Sequence, residues 1–319
     1  MLKDILNLIR WKTLLIAIFA LIATRVFIID YFYVSLEISP LISVPHYALF
    51  VLSVVLMIIA TCLTDELANY AVYQKIRSEA TYINALIKRK TAIILSLVLY
   101  IVALILGFFI QFSNDASVIL SFTIIIVLMY LYVSKAKHNY FAGKFIISLL
   151  YALLFLYPIL LELNILYAKA DLFRAIGESK VMQLVYIATF FASFAFLLTF
   201  ISELTKDLRD QDDDRMINRK TFVTYFGENA TKGTIYFLSV VFIAAVVYFQ
   251  FRYHEASQMM IVYGVSILIH IPMLYFINEL RKANAIQDYD FLGKLLGMIF
   301  ISLLFATTAV KHIMTNGLI

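Results

Sequence analysis

About nine stretches of this chain run apolar with few interior charges, separated by short polar breaks. They fall near residues 11–36, 45–72, 90–112, 117–134, 144–164, 181–205, 231–252, 257–280 and 290–312. Each is close to the ~20 residues that a helix needs to cross a hydrocarbon core of ~30 Å. The apolar residues run continuously rather than alternating, which predicts helices and not strands. In hydrocarbon an unpaired backbone group is costly, so a spanning segment must satisfy its own hydrogen bonds. The expected fold class is therefore all-α: a polytopic membrane bundle of about nine transmembrane helices. Residues 1–319 read as a single transmembrane domain, with polar cap loops near 73–92 and 206–230.

The polar breaks alternate in charge. Lys3, Arg10 and Lys12 precede the first span, and Lys75, Arg77, Lys88, Arg89 and Lys90 follow the second. Lys135, Lys137 and Lys144 follow the fourth, a run from Lys206 to Lys232 follows the sixth, and Arg281, Lys282 and Lys294 follow the eighth. These hold most of the 26 basic residues. Basic loops stay in the cytoplasm, so the amino terminus is expected inside and, with an odd number of spans, the carboxyl terminus outside. Pro40, Pro45 and the pair Asn114-Asp115 mark turns on the other side.

Composition agrees. Hydrophobic residues make up 63% of the chain, against about 45–50% in a soluble domain, and mean hydropathy is +0.91. The formal charge of +5 sits in the short loops, where it reports topology and not nucleic-acid binding. Cys62 is the single cysteine, which excludes an internal disulfide. The five histidines are scattered without zinc-motif spacing. Arg25 and Asp30 fall near the outer half of the first span, as a snorkelling arginine with an interfacial acid would. His270, beside Pro272, reads as a hydrogen-bonded packing residue at a helix kink.

The chemistry concentrates after the sixth span. Asp207, Asp210 and Asp214 are spaced i, i+3, i+7, one stripe on a helix, and Glu203 extends it by a turn. Carboxylates so placed repel one another, and a divalent cation relieves the repulsion. Hard oxygen ligands suit Mg²⁺, which is commonly held by one or two carboxylates plus substrate phosphates. Lys206, Arg209, Arg215, Arg219 and Lys220 are interleaved with the acids, where they could touch phosphate oxygens. The same spacing also fits a solvated, salt-laced helix end.

Lys206-Asp207-x-x-Asp210-x-x-x-Asp214, followed by Arg219-Lys220-Thr221 and Gly227, resembles the second aspartate-rich motif of the UbiA superfamily of intramembrane prenyltransferases. Its place after the sixth of nine spans also matches. The family's first motif, Asn-Asp-x-x-Asp-x-x-x-Asp, corresponds to Thr64-Asp65-Glu66-Leu67-Ala68-Asn69-Tyr70-Ala71-Val72. Only Asp65 is retained, and Asn69 is the nearest substitute oxygen ligand on its face. Arg10, Tyr132 and Lys137 also match family positions. Val223 stands where the family has proline, and Lys144 where it has asparagine.

The resemblance implies a Mg²⁺-dependent membrane prenyltransferase in a bacterial inner membrane. It would move an isoprenoid group from an isoprenoid diphosphate to a lipophilic acceptor, a quinone precursor or a lipid. It assigns catalysis to Asp207, Asp210, Asp214 and Lys206. Metal ligation falls to Asp65, Asn69, Asp207, Asp210 and Asp214. Diphosphate binding falls to Arg10, Lys137, Tyr132, Arg215 and Lys206. The degenerate first motif leaves a second expectation open, a non-catalytic relative that binds isoprenoid diphosphate or a partner. A transporter ranks third, because the acids sit at a membrane face and only four prolines occur.

Overall fold

A computed structural model describes residues 2–76, 86–110, 117–216, 219–252, 264 and 266–308. The described residues are helical apart from turns and short connections. Helix α1 is Leu2–Leu8; α2 is Trp11–Val34; α3 is Val44–Ile76; α4 is Arg89–Ile110; α5 is Ser117–Ser134; α6 is Ala142–Ala168. After the short α7, Ala170–Ile176, come α8, Glu178–Arg209, α9, Gln211–Met216, and α10, Phe222–Phe226. Helix α11 is Glu228–Arg252, α12 covers 266–282, and α13 is Ile286–Ala306.

Each expected span has a helix in its place. Seven are long and apolar enough to cross a membrane by length and composition: α2, α3, α4, α6, α8, α11 and α13. The fourth expected span is the shorter apolar α5. The eighth is α12, and the earlier part of its expected range lies outside the described residues. The first cap loop lies partly outside them too, at 77–85, and the second contains α9 and α10, with 217–218 outside the described residues.

The helices gather into two compact units. One comprises Met1–Ile18 and Ile42–Ile146. In it α4 turns Ala92, Ser96, Ala103 and Gly107 inward and leaves Ile94, Leu97 and Phe108 exposed, as a lipid-facing side requires. Small inward residues let helices approach closely where lipid gives no hydrophobic drive for association. A Cβ at Gly107 would touch the Phe122 ring of α5 at 3.4 Å.

The other unit comprises Phe19–Leu41 and Ile147–Ile319. Its most buried span is α8, whose Phe191 and Phe194 pack with Phe242 and Phe249 of α11 and Phe155 of α6. In this unit Arg25 does not snorkel. It lies in a π-helical turn, Thr24–Ile29, and is 7% exposed. Its Nη1 donates to Glu162 Oε1 at 2.9 Å, and its Nε lies 2.8 Å from Asp30 Oδ1. Glu162 is fully buried, and its Oε2 accepts the backbone N–H of Leu41 at 3.0 Å. A charge in hydrocarbon is tolerated only when paired and hydrogen-bonded, and Glu162 supplies the partner that the sequence left unnamed. His270 Nε2 lies 3.0 Å from Gln250 Oε1, as expected of a packing histidine.

Candidate functional site

The retained acid of the first motif lies one helical turn before the apolar part of α3 ends at Ala68. Asp65 is buried, its side chain 3% exposed. Lys137 Nζ donates to Asp65 Oδ1 at 2.7 Å, and Arg10 Nη2 donates to Oδ2. Both oxygens thus carry a cation. The cations arrive from distant segments. Arg10 sits in the break between α1 and α2 with φ of 50°, and its carbonyl accepts the first N–H groups of α2 from Thr13 and Leu14. Lys137 lies on a single 3-10 turn, Ala136–His138, between α5 and α6.

Gly143, in the first turn of α6, sets that turn against the helix. A Cβ there would stand 2.7 Å from Ala136 O and 3.0 Å from Lys137 Cα, so any larger residue would force the main chain to shift. Thr64, where the family carries asparagine, turns its hydroxyl back to Ala60 O at 2.8 Å. Tyr132 is half-buried near the end of α5, and Lys144 is buried. Asn69 continues the α3 backbone, but its side chain lies outside the described residues.

The acids of the second motif are brought together in the other unit, although not on one unbroken helix. Helix α8 stops at Arg209, and Asp210 is its cap, with φ −94° and ψ 8°. The chain keeps its helical sense, because Asp214 N–H still bonds Asp210 O at 2.9 Å. Asp207 Oδ2 accepts the N–H of Phe222 at 2.9 Å, tying the end of α8 to the start of α10. Thr221 caps α10 by a reciprocal bond with Thr224. Gly227 ends that helix at φ 86°, a left-handed conformation that glycine adopts without penalty. The Arg219-Lys220-Thr221 and Gly227 signature thus builds the turn that holds Asp207.

Cations are interleaved as the spacing suggests. Arg209 grips Asp210 with Nε at 2.7 Å and Nη2 at 2.8 Å. Its Nη1 reaches Asp290 of α13 at 3.3 Å. Asp290 was not expected in the site; being the acid one turn into the last span was its only sequence signal. Arg219 Nη1 lies 3.4 Å from Asp214 Oδ1, Lys206 pairs with Glu203, and Arg215 is exposed. Asp214 is 4% exposed. Burial pushes its carboxyl up to about 6; Arg219 opposes the rise, while the Asp207 and Asp210 carboxylates add to it.

Tested against a hard divalent cation, the two groups differ. The α8–α9 turn carries Asp207, Asp210 and the buried Asp214, whose hard oxygen donors suit Mg²⁺. Among the described residues no three acids, histidines or cysteines enclose a metal ion by themselves, so a cation there would draw further ligands from phosphate or water. Asp65 is a single carboxylate with an oxygen on each of Arg10 and Lys137, and a cation there would have to displace them, as a cation at Asp210 would displace Arg209.

The fold and these groups define a multi-pass membrane protein with mixed acid–cation clusters where its spans end. The UbiA prenyltransferase family model matches residues 26–304, and the chain belongs to that family. Digeranylgeranylglyceryl phosphate synthase from Methanosphaera stadtmanae is 24% identical over 216 residues, covering 67% of this chain and 71% of the relative. A solved structure of a digeranylgeranylglyceryl phosphate synthase superposes with a TM-score of 0.63 at 20% identity, over 96% of this chain and 98% of the other. A UbiA homolog from Archaeoglobus fulgidus, bound to GPP and Mg²⁺, superposes at 0.57 with 15% identity, over 96% and 99%. The same homolog bound to DMAPP and Mg²⁺ gives 0.57 at 14% identity over the same shares. These superpositions show a shared fold.

Proposed function

We propose that this chain is a Mg²⁺-dependent prenyltransferase that moves an isoprenoid group from its diphosphate to a lipophilic acceptor in the membrane. The observation that carries the reading is the α8–α9 turn, where Asp207 and Asp210 help hold the buried Asp214 against ionisation. A carboxylate set strained in this way gains most when a divalent cation arrives. The Archaeoglobus fulgidus homolog, solved with DMAPP or GPP and Mg²⁺, supports the choice of ligand.

In this reading Asp207, Asp210 and Asp214 hold the cation, which supplies charge neutralisation to the departing diphosphate. Lys206 and Arg215 donate to phosphate oxygens. Arg209, freed from Asp210 when the cation takes its place, stays tethered to Asp290. As the carbon–oxygen bond breaks, its electron pair leaves with the diphosphate, and these donors stabilise that charge. The allylic carbon is then captured by the acceptor's nucleophilic oxygen or carbon, which loses a proton. The similarity to the Methanosphaera digeranylgeranylglyceryl phosphate synthase favours an isoprenoid glyceryl phosphate lipid as acceptor over a quinone precursor. The basic loops support placing the amino terminus in the cytoplasm.

A second reading rests on Asp65: with its oxygens closed by cations, the chain could bind isoprenoid diphosphate without turnover. The test is incubation of the purified protein with labelled isoprenoid diphosphates, Mg²⁺ and a panel of acceptors. Prenylated product with pyrophosphate release supports the transferase. Tight Mg²⁺-dependent binding without release across the panel supports the non-catalytic relative.

A further inference from the structure

We propose that Asp290, at the opening of α13, is a positioning residue for the second motif: it takes Arg209 over from Asp210 and thereby sets how tightly the α8–α9 turn binds a divalent cation. The inference deepens the proposed function and rests on its assignment of the cation to that turn. Arg209 covers both oxygens of Asp210, through Nε at 2.7 Å and Nη2 at 2.8 Å, and its remaining nitrogen, Nη1, reaches Asp290 Oδ1 at 3.3 Å. A guanidinium and a divalent cation compete for one carboxylate, so an ion taken by Asp210 displaces Arg209. The displaced charge stays paired only where a second acid lies within its reach, and Asp290 is that acid. The side chains of Arg209, Asp210 and Asp290 are 34%, 44% and 50% exposed, so the exchange opens no buried pair.

The backbone that carries Asp290 is tied down by the two residues before it. Asp288 Oδ2 accepts the N–H groups of Asn284 and Ala285 at 3.0 and 2.9 Å, as the acid of a capping box does. Tyr289 is 2% exposed, and its hydroxyl lies 3.0 Å from Glu228 Oε1 and 3.3 Å from Ala283 O. Lys232 closes the same knot: its Nζ lies 2.8 Å from Glu228 Oε1, donates to Ala283 O at 2.7 Å and stands 5.7 Å from the centre of the Tyr289 ring. Three successive residues thus tie α13 to the turn before it, to α11 and to α8. With its backbone held, Asp290 keeps its place while the longer Arg209 side chain changes partner.

The test is Mn²⁺ titration of the full chain in detergent, without phosphate, followed by electron paramagnetic resonance. Arg209→Gln, which removes the competitor, should tighten binding about threefold or more, and Asp290→Asn should weaken it about threefold. Asp290→Glu keeps an acid within reach of Nη1 and should stay within about twofold of the wild type. In the Arg209→Gln background, Asp290→Asn should change the affinity by less than about twofold, because the two residues act through one pair. Asp288→Asn removes a charge from the same turn but keeps the capping oxygen, and it too should stay within about twofold. An Arg209→Gln protein that binds Mn²⁺ no more tightly than the wild type overturns the positioning role and leaves the metal at the turn. So does an Asp290→Asn effect that persists undiminished without Arg209, or that Asp288→Asn reproduces. Mn²⁺ binding unchanged in Asp210→Asn instead defeats the proposed metal role of the turn, and this inference with it.

Discussion

Gly143→Ala is a one-methyl perturbation whose consequence can be worked from the backbone. The new Cβ would stand 2.7 Å from Ala136 O and 3.0 Å from Lys137 Cα, where ordinary contact begins at 3.4 Å. Both obstructing atoms are main chain, so no rotamer change clears them. The 3-10 turn or the first turn of α6 must retreat by the shortfall, 3.4 minus 2.7, or 0.7 Å. If the turn yields, the 2.7 Å bond from Lys137 to Asp65 stretches towards the limit of a hydrogen bond. Overpacking of this kind costs about 1–3 kcal/mol, and alanine's helix preference returns at most ~1 kcal/mol. The net expectation is destabilisation by about 1–2 kcal/mol.

Gly233→Ala in α11 is the control, since nothing lies within 4 Å of its Cβ; it should be neutral or stabilising. Thermal unfolding in detergent reads the stability of both variants. A Gly143→Ala protein as stable as the wild type would refute the packing argument.

Three further outcomes are expected. Glu162→Ala should destabilise the protein by about 3 kcal/mol, because it removes one partner of a buried ion pair and the acceptor for Leu41 N–H. Glu162→Gln, which keeps an acceptor, should cost less in the same unfolding assay; equal losses would show that the acceptor does not matter. Asp214 binds its proton with an affinity raised to about 6, so its contribution to stability is full at low pH and is lost as pH rises through 6. Mg²⁺ needs the ionised form, so its stabilising effect should be present at about pH 7.5 and fall up to tenfold in apparent affinity per pH unit below about 6. In Asp214→Asn that slope should flatten, and an unaltered slope would place the titration elsewhere. Asp290→Asn should leave unfolding nearly unchanged, as half-exposed ion pairs contribute little, while altering the Mg²⁺ concentration needed for diphosphate binding through the freed Arg209.

The spans were legible because hydrocarbon imposes one requirement on every residue of a long run, and α2, α3, α4, α6, α8, α11 and α13 follow from hydropathy alone. Of the two acids that Arg25 meets, Asp30 was within reach of the sequence and Glu162 was not: it is 137 residues away, and local periodicity carries no information about which distant acid a buried cation meets. The same limit hid the fate of Asp65. Its motif suggested a metal ligand, but Arg10 and Lys137 come from segments 55 and 72 residues away. The residue types at the α8–α9 turn were legible, whereas the break at Asp210 was not, because i, i+3, i+7 spacing fits a continuing helix equally well. Only the structure gives Gly143 its close neighbours, Ala136 O and Lys137 Cα.

The most direct measurement compares wild type with Asp210→Asn, each in lipid nanodiscs with radiolabelled geranylgeranyl diphosphate, an isoprenoid glyceryl phosphate acceptor and titrated Mg²⁺. The account predicts Mg²⁺-dependent pyrophosphate release and a prenylated lipid from the wild type, and loss of both, with Mg²⁺-dependent donor binding weakened severalfold or more, in the variant. Donor binding and turnover that survive intact in Asp210→Asn would contradict it.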